Sequence, residues 1–119
     1  MMQRRKGKIV NISSVVARRG SPAYSIAYSA AKAGIIGLTI GLSVQLEQSG
    51  ILVNAITPGA TGTGTQMTKE QLQAFLSTHP LGIGGPEPIG YAVRYLLRSS
   101  GNFLSGAVLN VSGGDVRGM

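Results

Sequence analysis

Residues 7–59 read GKIVNISSVVARRGSPAYSIAYSAAKAGIIGLTIGLSVQLEQSGILVNAITPG, and they contain two strand patterns with one long helix pattern between them. Residues 9–12 form a short apolar run rich in β-branched side chains, which is typical of a buried strand in a parallel sheet. A similar run at residues 51–56 ends in a Thr-Pro-Gly turn. A strand, a helix and a strand in this order predict a βαβ unit, so we expect the two strands to be parallel.

The intervening segment predicts one helix over residues 22–49. Ser21 is the expected N-cap, Pro22 suits the first helical position, and Gly50 stands where a C-terminal glycine belongs. Each interior glycine costs up to about 1 kcal/mol relative to alanine. We therefore expect a cofactor, the sheet or a second subunit to approach the side of the helix that carries only small residues: Ala27, Ala30, Ala31, Gly34, Gly37 and Gly41.

The other segments complete an α/β pattern within one domain. Thr68 and Gln71 have the spacing of a capping box, which predicts the start of a short helix. The other predicted features are a loop over residues 15–20, a glycine- and threonine-rich loop over residues 61–80 around that short helix, a helix over residues 88–99 and a third strand over residues 107–111.

The composition excludes several classes of protein. The 119 residues include no cysteine, so a disulfide framework and thiolate metal sites are excluded. One histidine and four acidic residues are too few to suggest a metal site. The longest weakly polar stretch, residues 30–42, is shorter than the ~20 residues of a membrane span, and the N-terminus does not resemble a secretory signal. We expect a soluble cytoplasmic protein with no membrane partner.

The net charge of +7 comes largely from basic residues early in the chain: Arg4, Arg5, Lys6, Lys8, Arg18 and Arg19. Such a cluster can attract nucleic acid or an acidic partner, but charge runs are more often solvated loops and helix ends. No nucleic-acid-binding motif accompanies the charge, and six aromatic residues are too few for a base-stacking surface. The sequence therefore predicts no nucleic-acid partner.

Polar residues follow both predicted strands, at the point where each strand ends. Ser14 comes after the first strand, and Pro58 and Gly59 come after the second. Ligands of open α/β sheets bind beyond the carboxyl ends of the strands. The long helix begins near the same edge, so we expect Tyr28 and Lys32, which are four residues apart on one helix face, to lie close to Ser14.

These three residue types suit the interconversion of a carbonyl and an alcohol. The hydroxyl of tyrosine is a poor acid or base at neutral pH, and a neighbouring ammonium group favours its phenolate form. A serine hydroxyl can hold a carbonyl oxygen while a tyrosine protonates it, and the hydride must come from a cofactor. The alternative for each residue alone is ordinary: a solvated Tyr28–Lys32 pair, and Ser14 as a turn residue.

Four stretches carry a resemblance to the short-chain dehydrogenase/reductase family. They are GKIVNISS at residues 7–14, YSAAKAG at residues 28–34, VNAITPG at residues 53–59, and the tail from His79 to Gly114. The likeness covers essentially all of residues 1–119 and is greatest to bacterial reductases of 3-oxoacyl groups on acyl carrier protein. It implies an oxidoreductase that uses NAD or NADP, and a chain that forms the second, C-terminal half of a Rossmann-type doubly wound parallel sheet.

The resemblance also implies a role for individual residues. Ser14 would orient the carbonyl or hydroxyl of the substrate, Tyr28 would be the general acid/base, and Lys32 would support Tyr28 and bind the nicotinamide ribose. Residues 60–80 would form the substrate loop. The implied cofactor-binding residues are Tyr28, Lys32, Pro58, Gly59, Thr61 and Thr63, and no residue is implied to bind a metal.

The sequence departs from the family pattern in several places. The family's glycine-rich turn, which binds the pyrophosphate, and its selector of NAD or NADP have no counterpart in residues 1–119. Ser112 stands where the family usually has aspartate, and Ile83 replaces a common arginine. His79 is interpreted as structural, because the sequence places no carboxylate or serine partner beside it.

The implied partners are a small carbonyl or alcohol substrate, with an acyl-carrier-linked group as a candidate, and further copies of the chain in a homo-oligomer. The resemblance places the basic segment before Gly7 beside the active site, where Arg4 and Arg5 would meet an acidic acyl carrier, with Arg18 and Arg19 adding charge. An apolar first strand without a neighbour on one side is prone to association. The alternative function is that of a catalytically inactive remnant that acts only through oligomerisation.

Residues 1–119 by themselves are expected to bind NADPH with a dissociation constant above the micromolar range, since they contain no pyrophosphate-binding turn. The measurement is a titration of the purified chain with NADPH, followed by cofactor fluorescence. Saturable binding at micromolar concentration would contradict this expectation.

Overall fold

The computed structural model describes residues 1–62 and 66–118. The described residues contain a parallel sheet of three strands in the order β1-β2-β3. The strands are β1 (Gly7–Ile12), β2 (Ile51–Pro58) and β3 (Val108–Val111). The helices are α1 (Val16–Arg19), α2 (Ile26–Leu46), α3 (Lys69–Thr78) and α4 (Glu87–Leu97), with 3₁₀ turns at Glu47–Ser49 and Ser99–Gly101. The predicted α/β class and the parallel pairing of the first two strands are confirmed.

The central strand β2 supplies most of the hydrophobic core. Ile51, Val53, Ala55 and Ile56 are all buried, whereas every residue of β1 retains some exposure. This difference follows from position, because β2 pairs with a strand on each side and β1 pairs on one side only among the described strands. Burial of apolar surface contributes roughly 25 cal/mol per Å², so β2 contributes most to the stability of the sheet.

Helices α2 and α4 cover opposite faces of the sheet. On β1, the Asn11 amide donates to Thr39 Oγ1 of α2 at 3.0 Å, and the Lys8 ammonium donates to the carbonyl of Arg98 at the end of α4. Residues three apart on a strand point to opposite faces, so these two contacts place one helix on each side. This is the layering expected of a doubly wound sheet.

A buried asparagine in β2 fixes the approach to β3. The Asn54 amide donates to the carbonyl of Leu104 at 2.9 Å, and its Oδ1 accepts from the Ala107 N–H at 2.9 Å. Asn54 is buried, so both of its polar atoms must find partners inside the protein. The loop before β3 supplies both partners, and β3 then pairs with β2 from Ala55 onward.

The predicted start of the long helix is wrong by one turn. Ser25 is the N-cap of α2: its backbone is extended, and its hydroxyl accepts from the Tyr28 N–H at 3.2 Å. The Ser21 hydroxyl accepts from the Ala23 N–H at 3.1 Å, so Ser21 and Pro22 begin a turn before the helix. The predicted end is confirmed, because Gly50 adopts a left-handed backbone with φ of 72° after the 3₁₀ turn.

Residues 15–20 are not a loop as expected, because they contain the single-turn helix α1. Val15 and Val16 are each 4% exposed, and the Val15 N–H donates to the carbonyl of Pro58 at 3.1 Å. Burial of these two valines against the end of β2 draws the segment inward. The remaining predicted elements lie within two residues of their expected bounds, and Thr68 and Gln71 form the predicted capping box of α3.

The small-residue side of α2 does not face the sheet. Thr39 and Ser43 are the buried residues of α2, while Gly34, Gly37 and Gly41 are exposed, with no other atoms near the position of an added Cβ. The sheet is therefore excluded as the neighbour that this side was expected to have. Residues Ile26–Ser49 are also long and apolar enough to cross a membrane, with a mean hydropathy of 1.3, but one such helix is a weak indication.

The assignment of the α2 cap predicts a difference between two serines four residues apart. Replacement Ser25→Ala removes the acceptor of the Tyr28 N–H and is expected to lower the free energy of unfolding by about 1 kcal/mol. Ser21 lies before the helix, so the matched replacement Ser21→Ala is expected to lower the free energy of unfolding by less than half as much. Urea unfolding followed by circular dichroism measures both, and an equal or larger loss for Ser21→Ala would contradict the assignment.

Candidate active site

The carboxyl ends of β1 and β2 bring two loops to one edge of the sheet. The pairing runs in register up to Ile12 and Ile56, and the Ser13 N–H extends it by donating to the carbonyl of Ile56 at 2.8 Å. Ser14 therefore leaves β1 beside the Pro58 end of β2. This is the edge at which ligands of parallel α/β sheets bind.

Two hydrogen bonds hold the start of α2 against the end of β1. The buried Ser13 hydroxyl donates to the carbonyl of Lys32 at 2.6 Å, and the Lys32 ammonium donates to the carbonyl of Ile12 at 3.1 Å. These bonds run in opposite directions between the two elements. Lys32 is thereby fixed at the strand end with its charged group partly satisfied by backbone.

Tyr28 lies one turn before Lys32 on the same side of α2. The Lys32 Nζ is 5.7 Å from the centre of the Tyr28 ring, which is within the range of a cation–π contact. Tyr24 also contacts this ring and stacks on it with the ring centres 5.1 Å apart. Tyr28 remains 37% exposed, so its side chain stays accessible beside these two neighbours.

One cavity of about 670 Å³ includes all three of the predicted catalytic residues in its lining. This volume is in the range of small-molecule sites. The same lining contains three further predicted cofactor-binding residues, Pro58, Gly59 and Thr61. The structure thus brings together six of the predicted site residues: Ser14, Tyr28, Lys32, Pro58, Gly59 and Thr61. Thr63 lies outside the described residues. The Ser14 hydroxyl accepts from the Val16 N–H at 3.2 Å, which orients its side chain.

Sequence reasoning missed a cluster of ionisable side chains on the same cavity. Asp115 pairs with Arg19, and it also faces His79 with 3.5 Å between Oδ1 and Nε2. His79 therefore has the carboxylate partner that the sequence did not place. The three residues come from distant parts of the chain and follow no spacing pattern, so no signal in the sequence joined them.

The basic segment before Gly7 does not lie beside the cavity, whereas Arg19 of α1 does. Arg18 donates to Asn110 Oδ1 at 2.8 Å and to the carbonyl of Gly118 at 3.0 Å, so both arginines of α1 bind the C-terminal tail. Arg5 donates to the carbonyl of Gln48 at 2.7 Å, at the amino edge of the sheet. The segment before Gly7 is thus at the opposite end of β1 from the cavity, which corrects the expectation.

Candidate metal ligands were sought among residues 1–62 and 66–118. No group of three or more His, Asp or Glu side chains lies close enough together there to hold a metal ion.

Comparison with known proteins assigns the chain to a family. A family model described as Enoyl-(Acyl carrier protein) reductase, which belongs to the short-chain dehydrogenase/reductases, matches residues 1–115. The chain belongs to the short-chain dehydrogenase/reductase family. The resemblance inferred from the motifs is therefore confirmed.

The relatives of the chain include bacterial proteins of about twice its length. It is 39% identical over 117 residues to the 3-oxoacyl-[acyl-carrier-protein] reductase FabG of Rickettsia prowazekii, covering 96% of this chain and 48% of that protein. It is 43% identical over 117 residues to Nodulation protein G of Azospirillum brasilense, covering 96% and 47%. The chain spans about half the length of the curated relatives it matches.

A solved short-chain dehydrogenase/reductase has the same fold over the matched region. The crystal structure of 3-oxoacyl-[acyl-carrier protein] reductase from Brucella melitensis superposes with a TM-score of 0.91 and 30% sequence identity. The match covers 98% of this chain and 45% of that chain. The three strands therefore have the arrangement of part of a Rossmann-type sheet, as the resemblance implied.

The geometry at Gly59 predicts a specific sensitivity. A Cβ at this position would lie 2.7 Å from the backbone of Ser112, so Gly59→Ala forces the end of β2 away from the tail after β3. We expect a loss of about 1–3 kcal/mol in the free energy of unfolding, as for overpacking. Gly84→Ala is the matched control, because its nearest contact would be an ordinary 3.9 Å from Pro88. Urea unfolding compares the two, and equal midpoints would contradict the close approach.

Proposed function

We propose that this chain forms the catalytic half of an oxidoreductase that uses NAD or NADP to interconvert a carbonyl and a secondary alcohol. The observation that carries the proposal is the shared cavity of Ser14, Tyr28 and Lys32 at the carboxyl edge of two parallel strands. Membership of a family of oxidoreductases supports the reaction type. The names of the relatives support a 3-oxoacyl thioester on acyl carrier protein as the substrate.

The cavity wall fits the nicotinamide end of such a cofactor. Lys32 brings a cation to the strand end, and residues 58–61 bring a stretch of backbone to the same wall. We assign Lys32, Tyr28, Pro58, Gly59, Thr61 and Thr63 to its binding. When bound, a reduced nicotinamide supplies the hydride that adds to the carbonyl carbon of the substrate.

In this proposal Tyr28 moves the proton and Ser14 orients the substrate. During reduction the Tyr28 hydroxyl donates its proton to the carbonyl oxygen, which becomes the hydroxyl of a secondary alcohol; in the reverse direction Tyr28 takes that proton back. The Ser14 hydroxyl donates a hydrogen bond to the same oxygen, which stabilises the negative charge that develops there. The Lys32 ammonium stabilises the phenolate that Tyr28 becomes.

The alternative is a protein that acts only through association, without catalysis. Two features favour it: the exposed small-residue side of α2, and strand β1, which has a neighbour on one side only among the described strands. A homo-oligomer is proposed under either function, and a cytoplasmic location is proposed with them. The two functions differ in whether Tyr28 has a chemical role.

The proposal predicts a large effect of one hydroxyl. We join residues 1–119 to the amino-terminal half of the Rickettsia prowazekii relative and follow NADPH oxidation with a 3-oxoacyl thioester. Replacement Tyr28→Phe is expected to lower kcat by about 10²–10⁴-fold, the usual contribution of a general acid. Tyr91→Phe, at an exposed tyrosine of α4, is the matched control and should leave kcat unchanged.

Retention of more than a tenth of the activity by the Tyr28→Phe protein would contradict the role of Tyr28. Absence of turnover in the unsubstituted joined protein, together with hetero-oligomers formed by this chain and a full-length relative, would support the alternative.

A further inference from the structure

The C-terminal tail folds back over α1 and is fixed there by consecutive arginines. After β3, the Asp115 N–H donates to the carbonyl of Ser112 at 3.2 Å, which turns the chain towards α1. Arg18 binds the carbonyl of Gly118 at 3.0 Å, and Arg19 binds the side chain of Asp115. The tail is thus held at two points by the helix that follows Ser14.

The pair of Arg19 and Asp115 has the geometry of a strong contact. Arg19 Nε lies 2.8 Å from Asp115 Oδ1, and Arg19 Nη2 lies 2.9 Å from Asp115 Oδ2. Two parallel contacts of this kind fix the orientation of a carboxylate as well as its position. The side chain of Asp115 is only 9% exposed, so the pair is also shielded from solvent on the carboxylate side.

The same carboxylate faces a histidine at the end of α3. Asp115 Oδ1, already bound to Arg19, lies 3.5 Å from His79 Nε2. The other ring nitrogen, Nδ1, is 2.9 Å from Thr78 Oγ1 and 3.0 Å from the carbonyl of Phe75, and the ring stacks on that of Phe75 with centres 3.9 Å apart. When Nδ1 accepts from the Thr78 hydroxyl, Nε2 carries the ring hydrogen and can donate to Asp115. The ring is therefore held in one plane, with its Nε2 edge towards Asp115.

Helix α3 has few other attachments to the body of the protein. None of its ten residues is buried, and Phe75 alone among them is half-buried. Helices with so little buried apolar surface open locally at low free energy unless another contact holds them. The contact of His79 with Asp115 joins the end of α3 to the tail and, through Arg19, to α1.

The cluster lies on the wall of the candidate active site. Phe75 and His79 of the α3 region and Arg19 and Asp115 all line the cavity that contains Tyr28. The position of α3 therefore sets the shape of the space next to the reacting groups. We propose that Asp115 is a positioning residue for the substrate: by contacting Arg19 and His79 at once, it holds α3 against the cavity in the arrangement that binds substrate.

This inference rests on the proposed function, and it has a distinct kinetic consequence. Asp115 acts through α3 and is given no contact with the reacting oxygen, so its loss weakens the binding of substrate and transition state alike. A change of that kind raises KM and leaves kcat nearly unchanged.

Hydrogen exchange in residues 1–119 tests the attachment of α3 without any catalysis. Replacement Asp115→Asn keeps the size of the side chain and removes its charge, and we expect the amides of α3 to exchange about tenfold faster, equivalent to about 1.4 kcal/mol. Asp115→Glu should restore most of the protection. The matched control is Glu47→Gln, another carboxylate changed to an amide, at an exposed site after α2, and it should leave α3 exchange unchanged.

A second variant separates the two contacts of Asp115. Replacement His79→Gln leaves the pair of Arg19 and Asp115 in place, so it should speed exchange in α3 but not in the tail over residues 112–118. Asp115→Asn should speed exchange in both. The proposal is overturned if the amides of α3 exchange at the same rate in Asp115→Asn as in the unsubstituted chain. If Asp115→Asn does not fold, the same comparison with His79→Gln decides.

The joined reductase supplies the kinetic measurement. Asp115→Asn is expected to raise KM for the thioester about tenfold with kcat within about twofold, and Asp115→Glu to recover most of that loss. A fall in kcat at unchanged KM would overturn the positioning role. Absence of turnover in the unsubstituted joined protein contradicts the proposed function instead, and the exchange measurements then decide the anchoring of α3 by themselves.

Discussion

The parallel pairing of β1 with β2 is the constraint on which the candidate site depends. Because Ile12 lies opposite Ile56, the chain leaves both strands at the same edge, and every later contact at the site builds on that edge. Antiparallel strands, or a shift in register, would separate Ser14 from the turn at Gly59. The hydrogen bond from the Ser13 hydroxyl to the carbonyl of Lys32 then attaches α2 to this edge.

Burial is concentrated where the pairing is complete. Strand β2 is buried along most of its length, while large apolar side chains remain exposed on the surrounding helices and loops, among them Ile26, Val44 and Phe103. The energy that holds the three strands together therefore comes mainly from one strand and the two layers that cover it. The site stands at the end of this strand, so its backbone is attached to the most buried part of the chain.

The sequence was sufficient for those parts of the molecule that depend on local pattern. Apolar runs located the strands, and the spacing of Thr68 and Gln71 identified a cap, because both signals act within a few residues. The sequence was not sufficient where two helix starts compete. Ser21 followed by Pro22 has the pattern of a helix start, and so does Ser25. The helix begins after Ser25, and in this arrangement Tyr28 stacks on Tyr24 and Lys32 binds the carbonyl of Ile12. It also missed α1, whose formation depends on burial of Val15 and Val16 against β2.

The cluster around Asp115 belongs to a third category, which no local pattern can reveal. Arg19, His79 and Asp115 are far apart in the chain and meet where the residues after β3 and the end of α3 both lie beside α1. The residues proposed for proton transfer sit on elements tied to the sheet, whereas the facing wall is a largely exposed helix. Substitutions on this wall can therefore alter which molecules the cavity accepts, by size and chemistry. Ser14, Tyr28 and Lys32 keep their mutual geometry meanwhile, because that geometry rests on the pairing of β1 and β2.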